Sequence, residues 1–462
     1  MRHIRFLSRP VLGPAAAFLL FFVLPVQSQD ESRLFQRIDR RAGRHLAFLR
    51  ELSRSVKGGE EAVQNRVAER FVSLGCRVEV LRIPPAELEL KHEFAARQEV
   101  PDEERISVVG TYPGKQGGPS LLFFAHPDNP PLKDLDRWIH DPFGAEIEGG
   151  RVYGWGVADD LAGVAIMAEA LEAIREAGLE PPGKIILCST PAKRNAQGVI
   201  ALLSRGYTAD AAVYLHPAES GAGMKEIKAI ASGMLRFRIT VKGKPPMTTE
   251  PGKTAFAHMA VNAVDKALVV IQALKDLDAR RGESVRHPGL DDAVGRSTNL
   301  LISYLHAGTA EALTQVPEEC TLGASLTFPP SEKLELVQRQ VEDCIRRAAA
   351  SDGWLTTHPP VIEWLFGTQG VEIPAHHPLY RVVSGAIGVV TGTRPYVNPL
   401  HSASDIRNPI LFSGIPTVGL GPLAGNLAQN GAHDEWVDAE DFIRAVKIAA
   451  KIMLDWGKAD LE

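Results

Sequence analysis

Leu121-Leu122-Phe123-Phe124-Ala125-His126-Pro127-Asp128 is the stretch on which the reading of this chain turns. A continuous apolar run ends directly on a histidine, and an acid follows two residues later. Such a run reads as a strand buried in a sheet rather than one half-exposed on a surface. The histidine therefore stands at a strand end, and Asp128 is placed to hold its ring in one tautomer, as partners of metal-bound histidines do. By itself a His-x-Asp pair is a weak signal, because most occurrences are incidental.

Working outward, similar runs occur at Val78–Leu81, Ile106–Val109, Ile185–Cys188 and Ala211–Leu215. Helix-like stretches at Ala162–Ala177 and Gln197–Ser204 separate the later ones, which predicts an α/β sheet covered on both faces. Before the first strand, residues 33–78 are charged and helical in period, with Leu34, Ile38, Leu46, Phe48 and Leu49 on one face. The pattern changes near Gly233. Leu235–Val241 alternates as a strand with one solvated face, a helix follows around Ala260–Leu277, then strands Leu300–Leu305 and Thr321–Thr327 and a helix over Glu332–Ala350. This order predicts a small α+β, ferredoxin-like domain over 233–355, inserted into a discontinuous larger domain of 29–232 and 356–462 that closes with the helix Ala439–Trp456.

The 462 residues, 45% of them hydrophobic, suffice for two packed domains. Charge is nearly balanced, 51 Lys plus Arg against 56 Asp plus Glu, and aromatic content is 6%. With no basic stripe and few stacking side chains, nucleic acid is not an expected partner. Arg2, Arg5 and Arg9 precede an apolar stretch from Val11 to Val26 that is short and broken by Pro14 and Pro25. Residues 1–28 therefore read as a signal peptide with cleavage after Val26-Gln27-Ser28, which predicts a secreted or periplasmic protein with no membrane attachment once it is removed. Cys76, Cys188, Cys320 and Cys344 form no CxxC pair, so no structural zinc module is visible. A Cys320–Cys344 bridge and four buried thiols both stay open, the buried thiols being favoured.

Two further stretches carry ligand-type residues. In Gly154-Trp155-Gly156-Val157-Ala158-Asp159-Asp160 glycines tighten a turn that presents two carboxylates just before a helix. Taken alone, that pair reads as a helix N-cap. Gly431-Ala432-His433-Asp434-Glu435-Trp436-Val437 lies near the C-terminus. Together with Trp138–Phe143, Ile415-Pro416 and Gly419-Leu420-Gly421-Pro422, the ordered set resembles the dinuclear-zinc exopeptidases and deacylases that include glutamate carboxypeptidase, acetylornithine deacetylase, succinyl-diaminopimelate desuccinylase, aminoacylase and carnosinase. The resemblance spans almost the whole chain after residue 28.

That resemblance implies two zinc ions sharing a bridging Asp, each with one His and one more ligand. By position His126 matches the first-zinc His, Asp128 its orienting acid, Asp159 the bridge, His216 the residue completing the first site and His433 the second-zinc His. His126, Asp159 and His216 would leave a fourth position open, as a catalytic zinc needs.

The departure lies at Thr190-Pro191-Ala192-Lys193-Arg194-Asn195. Where the family has a general-base Glu followed by a ligand Glu, this chain has Lys193 and Arg194. A guanidinium neither deprotonates nor ligates. A unit charge about 4 Å from a dication costs roughly 8 kcal/mol at an effective dielectric near 20. One zinc, or another divalent ion, is therefore expected rather than two. Lys193 stands at the general-base position, and Glu219 is another conceivable base. Arg194, with Arg407 and Ser404 of the Ser404-Asp405-Ile406-Arg407 loop, is a candidate for binding a substrate carboxylate. The family's oxyanion histidine from the inserted domain is replaced by Met247, leaving His258 as a weak substitute.

The resemblance thus implies a secreted zinc-dependent hydrolase of amide bonds in small peptides or N-acylated amino acids, dimeric through the inserted domain, with altered or reduced activity. A non-catalytic protein gripping a small anion through Lys193 and Arg194, and a purely structural dimer, are the alternatives.

Overall fold

A computed structural model describes residues 29–458 apart from 86–87, 96–103, 130, 133, 193–197, 219, 400–403 and 425–432. The expected signal segment, Lys193, Arg194 and Glu219 lie outside the described residues.

Three helices open the described chain: α1 (Gln29–Arg40), α2 (Ala42–Ser55) and α3 (Glu60–Ser73). Leu34 and Ile38, Leu49 and Leu52, and Val63, Val67 and Phe71 recur three or four apart and are all buried. That one-sided spacing makes these charged segments helices that lie on a core. Next come β1 (Arg77–Arg82), β2 (Glu93–Ala95), β3 (Ile106–Tyr112), β4 (Gly118–Ala125), α4 (Ala162–Glu176), β5 (Gly183–Ser189) and β6 (Ala211–Leu215). The chain then enters β7 (Gly233–Lys242), α5 (Ala263–Ser284), β8 (Asn299–Ala307), β9 (Glu319–Phe328), α6 (Leu334–Ala350) and β10 (Val361–Thr368). It returns through β11 (Thr417–Leu420) and α7 (Ala439–Asp455).

The large sheet is mixed, in the order β1-β3-β5-β4-β6-β11. β1, β3 and β5 run antiparallel to their neighbours in turn, whereas β5, β4, β6 and β11 are parallel. Every residue of α4 from Ala162 to Ile174 is buried, Glu169 and Glu172 included, so this helix sits inside the fold between sheet and outer helices. The expected mixed sheet flanked by helices is the observed one.

In the inserted domain Leu235, Phe237, Ile239 and Val241 of β7 are buried and alternate with residues on the open face, and Cys320, Leu322, Leu326 and Phe328 do the same in β9. The two-residue period buries one face under α5 and α6 and leaves the other solvated.

Two points differ from the expectation. The inserted sheet continues past residue 355, because β10 pairs with β7 along Thr240↔Val361 to Met234↔Thr368. Its order, β8-β9-β7-β10-β2, also includes a strand from the N-terminal part of the chain. β2 pairs with β10 through Phe366↔Ala95, Gly367↔Phe94 and Thr368↔Glu93. A three-residue strand carries no readable alternation, so it leaves no mark in the hydrophobic pattern. The four cysteines are unpaired buried thiols, and Cys344 Sγ donates to the Ala273 carbonyl at 3.2 Å. No helix among the described residues is long and apolar enough to cross a membrane.

Candidate metal centre

β4 and β6 are adjacent parallel strands, and each ends directly before a histidine: Ala125 before His126, Leu215 before His216. Carboxyl ends of parallel strands are where open α/β sheets bind ligands. Asp159 arrives from the turn ahead of α4. Gly156 in that turn has φ +71, and a Cβ there would lie 1.8 Å from Asn129 Oδ1, so only glycine allows the approach. The Asp159–Asp160 peptide is cis.

His126 Nε2 lies 3.0 Å and His216 Nε2 3.2 Å from Asp159 Oδ1, and all three ligand atoms fall within 4.8 Å of one another. Neither nitrogen is aligned for a hydrogen bond, and Asp159 Oδ1 is buried without a hydrogen-bond partner. An orphaned buried carboxylate oxygen flanked by two unaligned imidazole nitrogens is the arrangement expected where lone pairs converge on a cation rather than on each other. Two imidazoles and a carboxylate suit zinc and other borderline divalent ions. The residues present therefore fit a single bound metal.

Neighbouring groups hold this trio. Asp128 presents its carbonyl at 3.2 Å and its Oδ1 at 3.4 Å to His126 Nδ1, and Oδ1 also accepts from Ala192 N at 2.7 Å. Burial works against charge on His126, but Asp159 and Asp128 outweigh it and hold the imidazole well above its ordinary pKa. Burial likewise opposes ionisation of Asp159, yet His126 and His216 keep its carboxyl well below the ordinary value.

Asp160 and two residues that sequence reasoning did not single out, Glu435 and Lys228, complete the surroundings. Asp160, fully buried, accepts from His126 N at 3.3 Å, and burial pushes its carboxyl well up. Glu435 accepts from Gly156 N, Ala158 N and Asp159 N at 3.2, 2.8 and 3.0 Å, clamping the turn that carries the bridging Asp. Burial, opposed by those donors, raises its carboxyl to about 7. Lys228, fully buried, places Nζ 2.9 Å from His216 Nδ1. The Trp138–Phe143 segment has a related task. His140 stacks on Tyr153, with Nδ1 at 3.0 Å from Asp434 Oδ1 and Nε2 at 2.9 Å from Glu148. Asp434 also accepts from His140 N, which ties this loop to the segment holding His433 and Glu435.

The remaining candidates fare differently. His433 is half-buried and does not join the three-residue cluster. Ser404 is fully buried, and Arg407 donates to the carbonyls of Ser404 and Ser232 at 3.2 and 3.1 Å, where the chain passes into the inserted domain. Burial lowers its guanidinium to about 10. These two donations tie Arg407 to the connection between the domains. His258 is exposed in the turn Thr254–Met259, outside the cluster.

A second group of ligand-type residues, His45, Glu169 and Glu172, also lies within 4.8 Å and is wholly buried. Here cations are already present: Arg70 pairs with Glu169 and, at 2.7 Å, with Glu172, and Arg44 reaches Glu172 at 2.8 Å. His45 Nδ1 is 2.6 Å from Glu169. This is an ion-pair core between α2, α3 and α4.

A mixed sheet carrying a convergent His-Asp-His trio at parallel strand ends, with an antiparallel inserted domain, is the architecture of a two-domain α/β protein with a candidate metal site. Residues 122–455 match the model of peptidase family M20/M25/M40, and the chain belongs to that family. It is 25% identical over 365 residues, 76% of this chain and 83% of the relative, to the N-formyl-4-amino-5-aminomethyl-2-methylpyrimidine deformylase of Bacillus subtilis. Human carnosine dipeptidase 1 superposes with a TM-score of 0.63 at 15% identity, covering 94% of this chain and all of that one. The YXEP protein of Bacillus subtilis, a dinuclear metal-binding peptidase, gives 0.59 at 14% identity, covering 91% of this chain and 100% of its own.

Proposed function

We propose that this chain is an exported amidohydrolase that cleaves amide bonds in small peptides or in N-acylated, including N-formylated, small molecules, using one zinc ion held by His126, Asp159 and His216. The observation that carries the reading is the orphaned Asp159 Oδ1 between two imidazole nitrogens. A deformylase among the sequence relatives supports a small formamide as well as a peptide substrate. When bound, the ion supplies Lewis-acid polarisation of the amide carbonyl and a water of lowered pKa. The chain's own part is to hold the ligands: Asp128 fixes the His126 ring, and Glu435 fixes the turn of Asp159.

Lys193 and Arg194 occupy the sequence positions where the family resemblance has its base and second-site ligand, which favours one ion and slowed proton transfer. General-base catalysis contributes typically 10²–10⁴-fold, so turnover well below that of relatives is expected. The same pair favours a second reading, a binding protein for small anions. A homodimer through β8 accompanies either, because Leu301, Tyr304 and Leu305 are exposed on that edge while β2 covers the opposite one.

Metal analysis of the purified protein, with a hydrolysis screen of N-formyl amines, N-acyl amino acids and dipeptides, tests the proposal. One equivalent of metal and metal-dependent turnover are expected. Metal-free, inactive protein that still binds carboxylates would establish the binding reading instead.

A further inference from the structure

Two chain crossings join the inserted domain to the large one, and they run side by side. Ile230–Ala231 on the way in pairs antiparallel with Val371–Glu372 on the way out, and Ile373 N donates to Ala229 O at 2.9 Å. The crossings touch where the inserted sheet begins, since a Cβ on Gly370 would lie 2.7 Å from Gly233 N. A two-stranded ribbon has little stiffness of its own, and a few residues at element ends suffice for a hinge.

Beside that ribbon a third connection is built. Leu88 and Phe412 pack against the same apolar cluster of the large sheet. Lys91 Nζ donates to the Phe412 carbonyl at 3.0 Å and lies 4.8 Å from the centre of its ring. Two residues on, the same chain belongs to the inserted sheet: Glu93, Phe94 and Ala95 pair with Thr368, Gly367 and Phe366. Thr368, fully buried, donates its hydroxyl to Glu93 at 3.1 Å. Phe94 fills the space that a side chain at 367 would need, because a Cβ there would lie 2.3 Å from its ring. Only His92 separates the two anchorages. It turns in the left-handed region at φ +56, and its carbonyl accepts from Gln369 N at 3.2 Å. Gln369 in turn holds the start of α6, accepting from Leu334 N at 2.8 Å and donating to the Glu332 carbonyl at 2.7 Å.

We propose that residues 88–95 are a clasp that holds the inserted domain at one angle to the large domain, so that the ribbon does not act as a free hinge. Rotation about the ribbon would shear β2 from β10, because the single residue between the anchorages has no slack to give. The inference concerns the two domains and stands apart from the reading of the metal centre.

The test is a distance measurement on the full chain. Val72→Cys on α3 and Leu268→Cys on α5 place one exposed thiol on each domain, while the four native thiols are buried. Spin labels at these positions should give a single narrow distance by double electron–electron resonance. A Gly-Ser-Gly-Ser insertion between Lys91 and His92 keeps both anchorages and gives the clasp slack. The distribution should then widen by roughly 5–10 Å, within the about 14 Å that four extended residues reach. An equally narrow distribution in the slackened chain, or a native one already as wide, would overturn the proposal. Should the insertion fail to fold, Phe94→Ala loosens the same contact, and the same pair of outcomes decides.

Discussion

The chain buries two clusters of histidine and carboxylate that are alike by residue type and spacing, yet they are built for opposite ends. Around His45, Glu169 and Glu172 the carboxylates already hold Arg44 and Arg70, so their charge is balanced by guanidinium groups. Around His126, Asp159 and His216 no arginine pairs with Asp159 among the described residues, and its Oδ1 is faced by two imidazole nitrogens instead. Proximity of ligand-type side chains therefore does not define a metal centre. What distinguishes it is whether a permanent cation already occupies the place where the lone pairs meet.

That distinction can be broken experimentally, most strongly at Asp159. Asp159→Ala removes the carboxylate shared by both imidazoles and is expected to abolish stoichiometric metal binding and to lower kcat/KM by at least about 10³-fold, roughly 4 kcal/mol; metal analysis and steady-state assay read this. In the other cluster, Arg70→Met leaves Glu169 and Glu172 buried without their main cation and should destabilise the fold by about 3–5 kcal/mol by chemical denaturation, with metal content unchanged. A metal response to Arg70→Met would undo the comparison. Asp128→Asn is smaller: it weakens the acceptor behind His126, and metal affinity should fall by about 10–100-fold.

The pH response of the candidate metal centre follows from two of its groups. In metal-free protein His126 is held above its ordinary value, so its contribution to stability is complete below about pH 6.5 and is lost as pH rises through the raised value. Asp159 is held low, so its contribution is present above the ordinary carboxylate range and is lost as pH falls through the lowered value. Metal binding needs deprotonated ligands and should strengthen with pH, so thermal melts with and without zinc should diverge on the alkaline side. The mildest change is Arg44→Ala. That arginine is half-exposed, and its removal should alter stability by less than about 1 kcal/mol.

Legibility in the sequence follows the same division. His126 and His216 could be found because each ends an apolar strand, and a strand run followed by a ligand-type residue is visible locally. The alternation in β7 and β9 likewise announced the inserted sheet. Glu435 was not legible as a clamp, since its task lies in accepting three backbone donors more than 270 residues away in the chain. Lys228 gave no signal either, because a lysine in a short mixed stretch reads as solvated unless one knows that β11 crosses beside it. The setting of Arg407 was hidden for a related reason. Its guanidinium donates to the carbonyls of Ser404 and Ser232, contacts that only tertiary packing supplies.

The strand β2 bears on how this protein can be taken apart. It belongs by sequence to the larger domain but completes the hydrogen bonding of β10 in the inserted one, with Phe94 packed edge-on against Trp364 and Glu93 accepting from Thr368. A gene fragment cut at residues 233 and 368 would lack that strand and carry a naked sheet edge, the kind of surface on which chains stack into aggregates. The inserted domain is therefore not a transferable module: grafting it elsewhere would require a surrogate for residues 93–95 to travel with it.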